Sequence, residues 1–142
     1  MVDTNVILRA ADRQHPASQH ARVAMKLLFR RGDRLCLARQ TLVEAWVVMT
    51  RPRQVNGFGY PGDVAASAIA KLQKLFRVLP DLDEIYLNWE QLVIGHQVLG
   101  KKAHDARLVG AMRVYGIGGM LTFNGSDFQR YGVQVVDPAQ VK

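Results

Sequence analysis

Cysteine is almost missing from this chain: of 142 residues, Cys36 alone carries a thiol. No internal disulfide can form, and the run Leu35-Cys36-Leu37-Ala38 predicts a buried, inert side chain, in keeping with a reducing cytoplasm. Long apolar runs are missing too. None approaches the roughly 20 residues of a membrane-spanning helix, and the first residues lack the basic stretch and apolar core of a secretion signal. A cytoplasmic protein with no membrane partner is expected. Repeats, low-complexity tracts and linker-like shifts are absent as well. One domain over residues 1–142 is therefore expected, at a size where a single core buries about two thirds of the surface the unfolded chain exposes.

Acid is in short supply: 12 Asp and Glu stand against 19 Lys and Arg, a net charge of +7. The shortage is local. Residues 1–80 hold thirteen basic and five acidic side chains, whereas residues 81–142 hold six and seven. A basic half of this kind attracts polyanions, because each neutralised phosphate releases counterions. The plainer alternative is a solvated surface that keeps the protein soluble.

What is present is a regular alternation of short apolar strands with helix-length amphipathic segments. Residues 1–3 read as the end of a strand, followed by a helix that begins at Thr4 and Asn5. Residues 17–31 form a helix closed by Gly32, residues 35–38 a strand, and residues 41–50 a helix that stops before Pro52. Residues 51–62 hold three glycines and two prolines and read as a mobile loop. Helices are expected at 63–76, 83–99 and 103–115, and strands at 77–79, 119–123 and 133–136, with one helical turn inside 124–131. Such alternation implies right-handed crossovers and a mostly parallel sheet covered on both faces, an α/β class.

In an open parallel sheet, ligands collect beyond the carboxyl ends of the strands. Four acids fall at helix starts near that edge: Asp3, Glu44, Asp105 and Asp127. Each has a plain alternative role. Glu44 can complete a capping box with Thr41, Ser126 and Gln129 can do so around Asp127, and Asp3 and Asp105 suit a helix dipole. Together, however, four carboxylates at one sheet edge repel one another and call for a bound cation, best Mg²⁺ or Mn²⁺. Thr4 and Asn5 beside Asp3, and Thr122 and Asn124 before Asp127, can orient carboxylates or metal-bound water. His104 is left outside this expected set.

The Asp3-Thr4-Asn5 opening, Glu44 on a helix ahead of Arg51, His104-Asp105-Ala106 at a helix start, and the segment Leu121-Thr122-Phe123-Asn124-Gly125-Ser126-Asp127-Phe128 resemble the PIN-domain nucleases, in order and rough spacing. The resemblance covers nearly the whole chain, and its last segment is the most specific. It implies a three-layer α/β/α sandwich in which Asp3, Glu44, Asp105 and Asp127 line one catalytic site and Asp3, Asp105 and Asp127 hold Mg²⁺, or Mn²⁺. It further implies a ribonuclease toxin of the virulence-associated protein C type, silenced by a small antitoxin and dimeric. One departure is visible: two residues precede Asp3, where the family's first strand usually has several.

The mechanism expected on this reading is hydrolysis by a metal-activated water, which leaves a 5′-phosphate and a 3′-hydroxyl. Arg51 and Arg53, with Phe58 and Tyr60, are expected to grip RNA phosphates and stack an unpaired base. A metal-free ribonuclease would need paired histidines, and His15, His20, His96 and His104 are scattered. A phosphatase of the haloacid dehalogenase type would need an aspartate where Asn5 stands. A non-catalytic RNA- or protein-binding module on the same fold is the stronger alternative.

Overall fold

A computed structural model describes all 142 residues. The strands are short, three residues each: β1 (Cys36–Ala38), β2 (Arg77–Leu79), β3 (Gly119–Leu121) and β4 (Gln134–Val136). β1 pairs in parallel with β2, and β3 with β4. Residues 1–3 join the two pairs. Val2 bridges Leu121 in parallel, the Val2 N–H donates to the Cys36 carbonyl at 2.9 Å, and the Asp3 N–H donates to the Leu121 carbonyl at 3.0 Å. The central strand is thus a single bridging residue, and the lateral order is β2, β1, Val2, β3, β4.

The helices are α1 (Thr4–Ala11), α2 (Ser18–Arg30), α3 (Arg39–Thr50), α4 (Gly62–Leu75), α5 (Asp83–Gly95), α6 (Lys102–Val114) and α7 (Gly125–Gln129). Side chains alternate across a strand, and the core divides accordingly. Cys36, Ala38 and Met120 face α5, α6 and α7 through Ile85, Leu92, Leu108, Met112 and Phe128. Leu35, Leu37, Val2 and Leu121 face the other way, onto Val6 and Ile7 of α1 and Ala21 and Ala24 of α2. Two apolar layers on opposite faces of one parallel sheet make the three-layer α/β/α sandwich expected from the sequence. No helix is long and apolar enough to cross a membrane.

Three local readings need correction. α3 begins at Arg39, directly after β1, rather than at Thr41. Thr41 is thereby an interior residue, its hydroxyl is buried without a partner, and the capping box with Glu44 does not form. The box around Asp127 does not form either, since α7 has no side-chain cap. α5 ends at Gly95 instead of reaching residue 99, because Gln97 takes a left-handed conformation (φ 49°). The Val98 N–H then returns to the Val93 carbonyl and the Gln97 N–H to that of Ile94, the bond pair of a Schellman stop. Residues 51–60 fold back on the end of α3, with the N–H groups of Phe58, Gly59 and Tyr60 bonded to the carbonyls of Val48, Arg51 and Met49.

Candidate functional site

Asp3 leaves the central bridge as the N-cap residue of α1, and it is buried, with 7% of its surface exposed. Its Oδ2 accepts from Thr122 Oγ1 at 2.6 Å and from Asn5 Nδ2 at 2.7 Å. Asn5 Nδ2 also reaches Thr122 Oγ1, at 3.0 Å, and Asn5 Oδ1 accepts from the Phe123 N–H at 3.2 Å. These bonds tie the end of the first strand to the end of β3. Oδ2 is thereby fixed by two side chains. Burial nevertheless raises the Asp3 pKa above its usual value, against the lowering effect of the Thr122 hydroxyl and the backbone N–H groups of Asn5 and Thr4, and the charge of Glu44 adds to the rise.

Glu44 is the sixth residue of α3, so it lies beyond the first turn where a sequence reading set it. It is held by side chains instead of by the helix terminus. Thr4 Oγ1 donates to Oε2 at 2.5 Å and Gln40 Nε2 to Oε1 at 2.7 Å. The Thr4 hydroxyl therefore serves Glu44, while its backbone N–H favours the Asp3 carboxylate. Asn124 also departs from expectation, since it contributes its backbone N–H, bonded to Thr122 Oγ1 at 3.0 Å, and its amide side chain touches no carboxylate.

Asp105, in the first turn of α6, is half-buried and accepts no hydrogen bond. Its pKa is pushed up to about 6, first by burial and then by the charges of Asp3, Asp127 and Glu44; His104 works weakly against the rise. A carboxyl so affected by three others shares their electrostatic neighbourhood. Asp127 sits at the start of α7 and pairs with Lys102 Nζ at 3.7 Å. Tyr131, buried on the layer beside α6, feels Asp105 and Asp127 too, and its phenol is raised by burial ahead of those charges.

Four neighbours lie outside the set expected from the sequence, His104 having been set aside there. Gln40 links Glu44 to the His104 carbonyl at 3.0 Å and accepts from Arg107 at 3.2 Å. His104 Nδ1 lies 3.9 Å from Glu44 Oε1. Lys102 and Tyr131 complete the set. Helical spacing offered a signal for two of them, since Gln40 is four residues before Glu44 and Lys102 three before Asp105.

Whether these residues suit a metal can be judged from their donors. Hard carboxylate oxygens, two raised pKa values and one carboxyl with no donor fit Mg²⁺ or Mn²⁺ in chemistry. In spacing, no three acidic, histidine or cysteine side chains converge closely enough to bind one ion directly. Direct ligation by Asp3, Asp105 and Asp127 together is therefore not preformed. Mg²⁺ commonly takes one or two carboxylates and keeps several waters, a requirement the cluster can meet.

Arg51 and Arg53 stand elsewhere. Arg51 follows the last residue of α3, seven residues past Glu44 and so about 10 Å along the helix axis. It is exposed and forms no ion pair, while Arg53 Nε donates to the Phe58 carbonyl at 3.1 Å. Phe58 and Tyr60 pack on each other, with ring centroids 5.4 Å apart, and against a small cluster of Ala45, Met49 and Ala65.

A family model described as the PIN domain matches residues 1–134. Among solved structures, VapBC-1 from nontypeable Haemophilus influenzae is similar with a TM-score of 0.70 at 20% identity, covering 99% of this chain and 98% of that one. A comparison with curated proteins returned no match.

Proposed function

The chain belongs to the PIN-domain family of nucleases, and from that premise we propose that it is a Mg²⁺-dependent endoribonuclease, able to use Mn²⁺, and the cytoplasmic toxin of a bacterial toxin–antitoxin pair. Residues 1–142 are taken as one nuclease domain. The observation that carries the reading is Asp105, a carboxyl raised to about 6 by burial and three neighbouring carboxylates. Such a group is short of positive charge, and a hard divalent cation relieves the shortage.

Asp3, Asp105 and Asp127 are the residues that would hold the ion, which when bound acidifies a water and offsets charge on the phosphate. Thr122 and Asn5 hold Asp3 in place through Oδ2. Thr4 and Gln40 aim Glu44, the candidate for orienting the attacking water and taking its proton. Lys102 can turn from Asp127 to a phosphate oxygen once a cation takes its place. Arg51 and Arg53 would meet RNA beyond the cleavage point, at the far end of α3.

For the small antitoxin there is an apolar groove of about 670 Å³ among α1, α2 and α4, lined by Ile7, Met25, Phe29, Leu72, Leu75 and Phe76 and edged by basic side chains. A homodimer has apolar surface available on α3. The test is RNA cleavage by wild type and Asp105→Asn, each with Mg²⁺ and with EDTA. Expected are 5′-phosphate and 3′-hydroxyl ends from the wild type in Mg²⁺ only, and a loss exceeding about 100-fold in the variant, more than removal of an outer partner costs. A 2′,3′-cyclic phosphate end, or cleavage that survives EDTA, overturns the mechanism; RNA bound but uncut in Mg²⁺ returns the protein to the binding-module alternative.

A further inference from the structure

A polar cleft lies away from the carboxylates, at the N-terminus of α2. It encloses about 730 Å³, and its lining includes Arg13, His15, Ser18, Gln19, Arg22 and Lys26 but no acidic side chain. α2 is 13 residues long, and its N-terminus has no side-chain cap. The Ser18 N–H is taken by the His15 carbonyl at 2.9 Å and the Ala21 N–H by that of Ala17 at 3.1 Å, whereas the N–H groups of Gln19 and His20 between them have no acceptor. Unpaired N–H groups at a helix start carry partial positive charge.

A second observation points to a ligand. Ser18 is buried, at 5% exposure, and lines the cleft, yet its hydroxyl makes no hydrogen bond. Thr41 Oγ1 is the one unpartnered side-chain oxygen sealed from solvent, so Ser18 Oγ keeps its access to the cleft. The cleft it opens onto is lined by three cations, Arg13, Arg22 and Lys26, and by Gln19, whose N–H is free. His15 fits the same use. Its Nδ1 accepts from the Ala17 N–H at 3.1 Å, which leaves Nε2 as the protonated nitrogen and a donor.

We infer that this cleft is a phosphate-group site, with Ser18 Oγ and the Gln19 N–H as its floor, the free His20 N–H next to it in the same helix turn, and Arg13, Arg22 and Lys26 as its charge. Donors converge on it without a competing carboxylate, as phosphate recognition at a helix start requires. The source that suits a nuclease is the backbone of its RNA, anchored apart from the cleavage point; that assignment of source rests on the function proposed above, whereas the phosphate chemistry does not. Arg22 and Lys26 also line the apolar groove and Arg13 also lines the cavity beside Arg53 and Phe58, whereas Ser18 lines neither, so Ser18 isolates the cleft.

The experiment uses ¹⁵N-labelled full-length protein in EDTA, where no metal-dependent cleavage can confuse binding, titrated separately with a single-stranded oligoribonucleotide and with inorganic phosphate. The Gln19 and His20 amides are expected to shift with both, and Ser18→Ala with Arg13→Gln to weaken oligonucleotide binding about tenfold. The variant should also flatten the log affinity against log salt line by about 0.7, one contact to a single strand. Shifts with inorganic phosphate alone support the site and assign it to a free phosphate. Unmoved amides in both titrations overturn it. Absence of cleavage in Mg²⁺, tested separately, would sink the nuclease reading while leaving the amide shifts to speak for the cleft.

Discussion

Asp105 shows how a single residue can trade stability for use. Its carboxyl rises from the ordinary 3.8 to about 6 in the folded chain, so the native state holds the proton more tightly than the unfolded one does. The stability gained this way is fully present below pH 3.8 and is lost as the pH climbs through about 6, because the unfolded chain then gives up its proton first. Asp105→Asn removes the penalty. At pH 7 without metal the variant should be more stable than wild type by on the order of 1 kcal/mol, after discounting for the solvent that screens this half-exposed group. The advantage should shrink as the pH falls to 4. Urea melts at pH 4, 5.5 and 7 measure it, and an equal gap at all three values would mean that the carboxyl is not strained. Millimolar Mg²⁺ should raise the wild-type melting temperature by linkage and leave the variant where it was.

At the level of elements, α5 and α6 form the tightest helix pair, and Gly110 lets them approach. A Cβ on Gly110 would stand 3.0 Å from the Ile85 carbonyl oxygen and 3.2 Å from the Trp89 nitrogen, and both are backbone atoms that cannot swing aside. Trp89 Nε1 also donates to the Ala103 carbonyl at 2.9 Å, which fixes the start of α6 where Asp105 lies. Gly110→Ala should therefore cost about 1–3 kcal/mol, the usual range for overpacking, despite the helix propensity it gains. Thermal unfolding checks this, and a neutral or stabilised variant would show that the helices part freely. Such pairings cannot be seen in a sequence, whereas the helices themselves could: the apolar spacing of α2, α4 and α6 announced them within a residue or two. The strands were legible as alternating apolar runs, and the parallel sheet followed from their alternation with helices. The acids Asp3, Asp105 and Asp127 stood out because each falls near a strand end or helix start, and Glu44 because its helix was read as starting two residues late. Their partners did not. Gln40, Lys102 and Tyr131 reach the cluster only through tertiary packing, and Thr4 serves Glu44 across 40 residues. Asn124 misled because an amide beside an acid looks like a partner, while its backbone N–H was what the turn needed.

At the scale of the whole molecule, the carboxylates gather at one edge, while the surplus of positive charge belongs to the first 80 residues. α3 separates functions by face. Gln40 and Glu44 point to the carboxylates, whereas Val43, Trp46 and Val47, at three- and four-residue spacing, are 64%, 40% and 45% exposed. A stripe of large apolar side chains left this open on a charged protein suits a second copy of the chain better than water. In a two-fold dimer each such residue is buried twice, once per subunit, so one substitution places two charges in the interface. Trp46→Glu should therefore convert a dimer to monomer at micromolar concentration in light scattering coupled to size exclusion. Because Trp46 adds little to the monomer core, the monomer should keep its helical circular dichroism and its Mg²⁺-induced thermal shift. A Trp46→Glu protein that stays dimeric, or a wild type that is monomeric at high concentration, removes α3 as the contact.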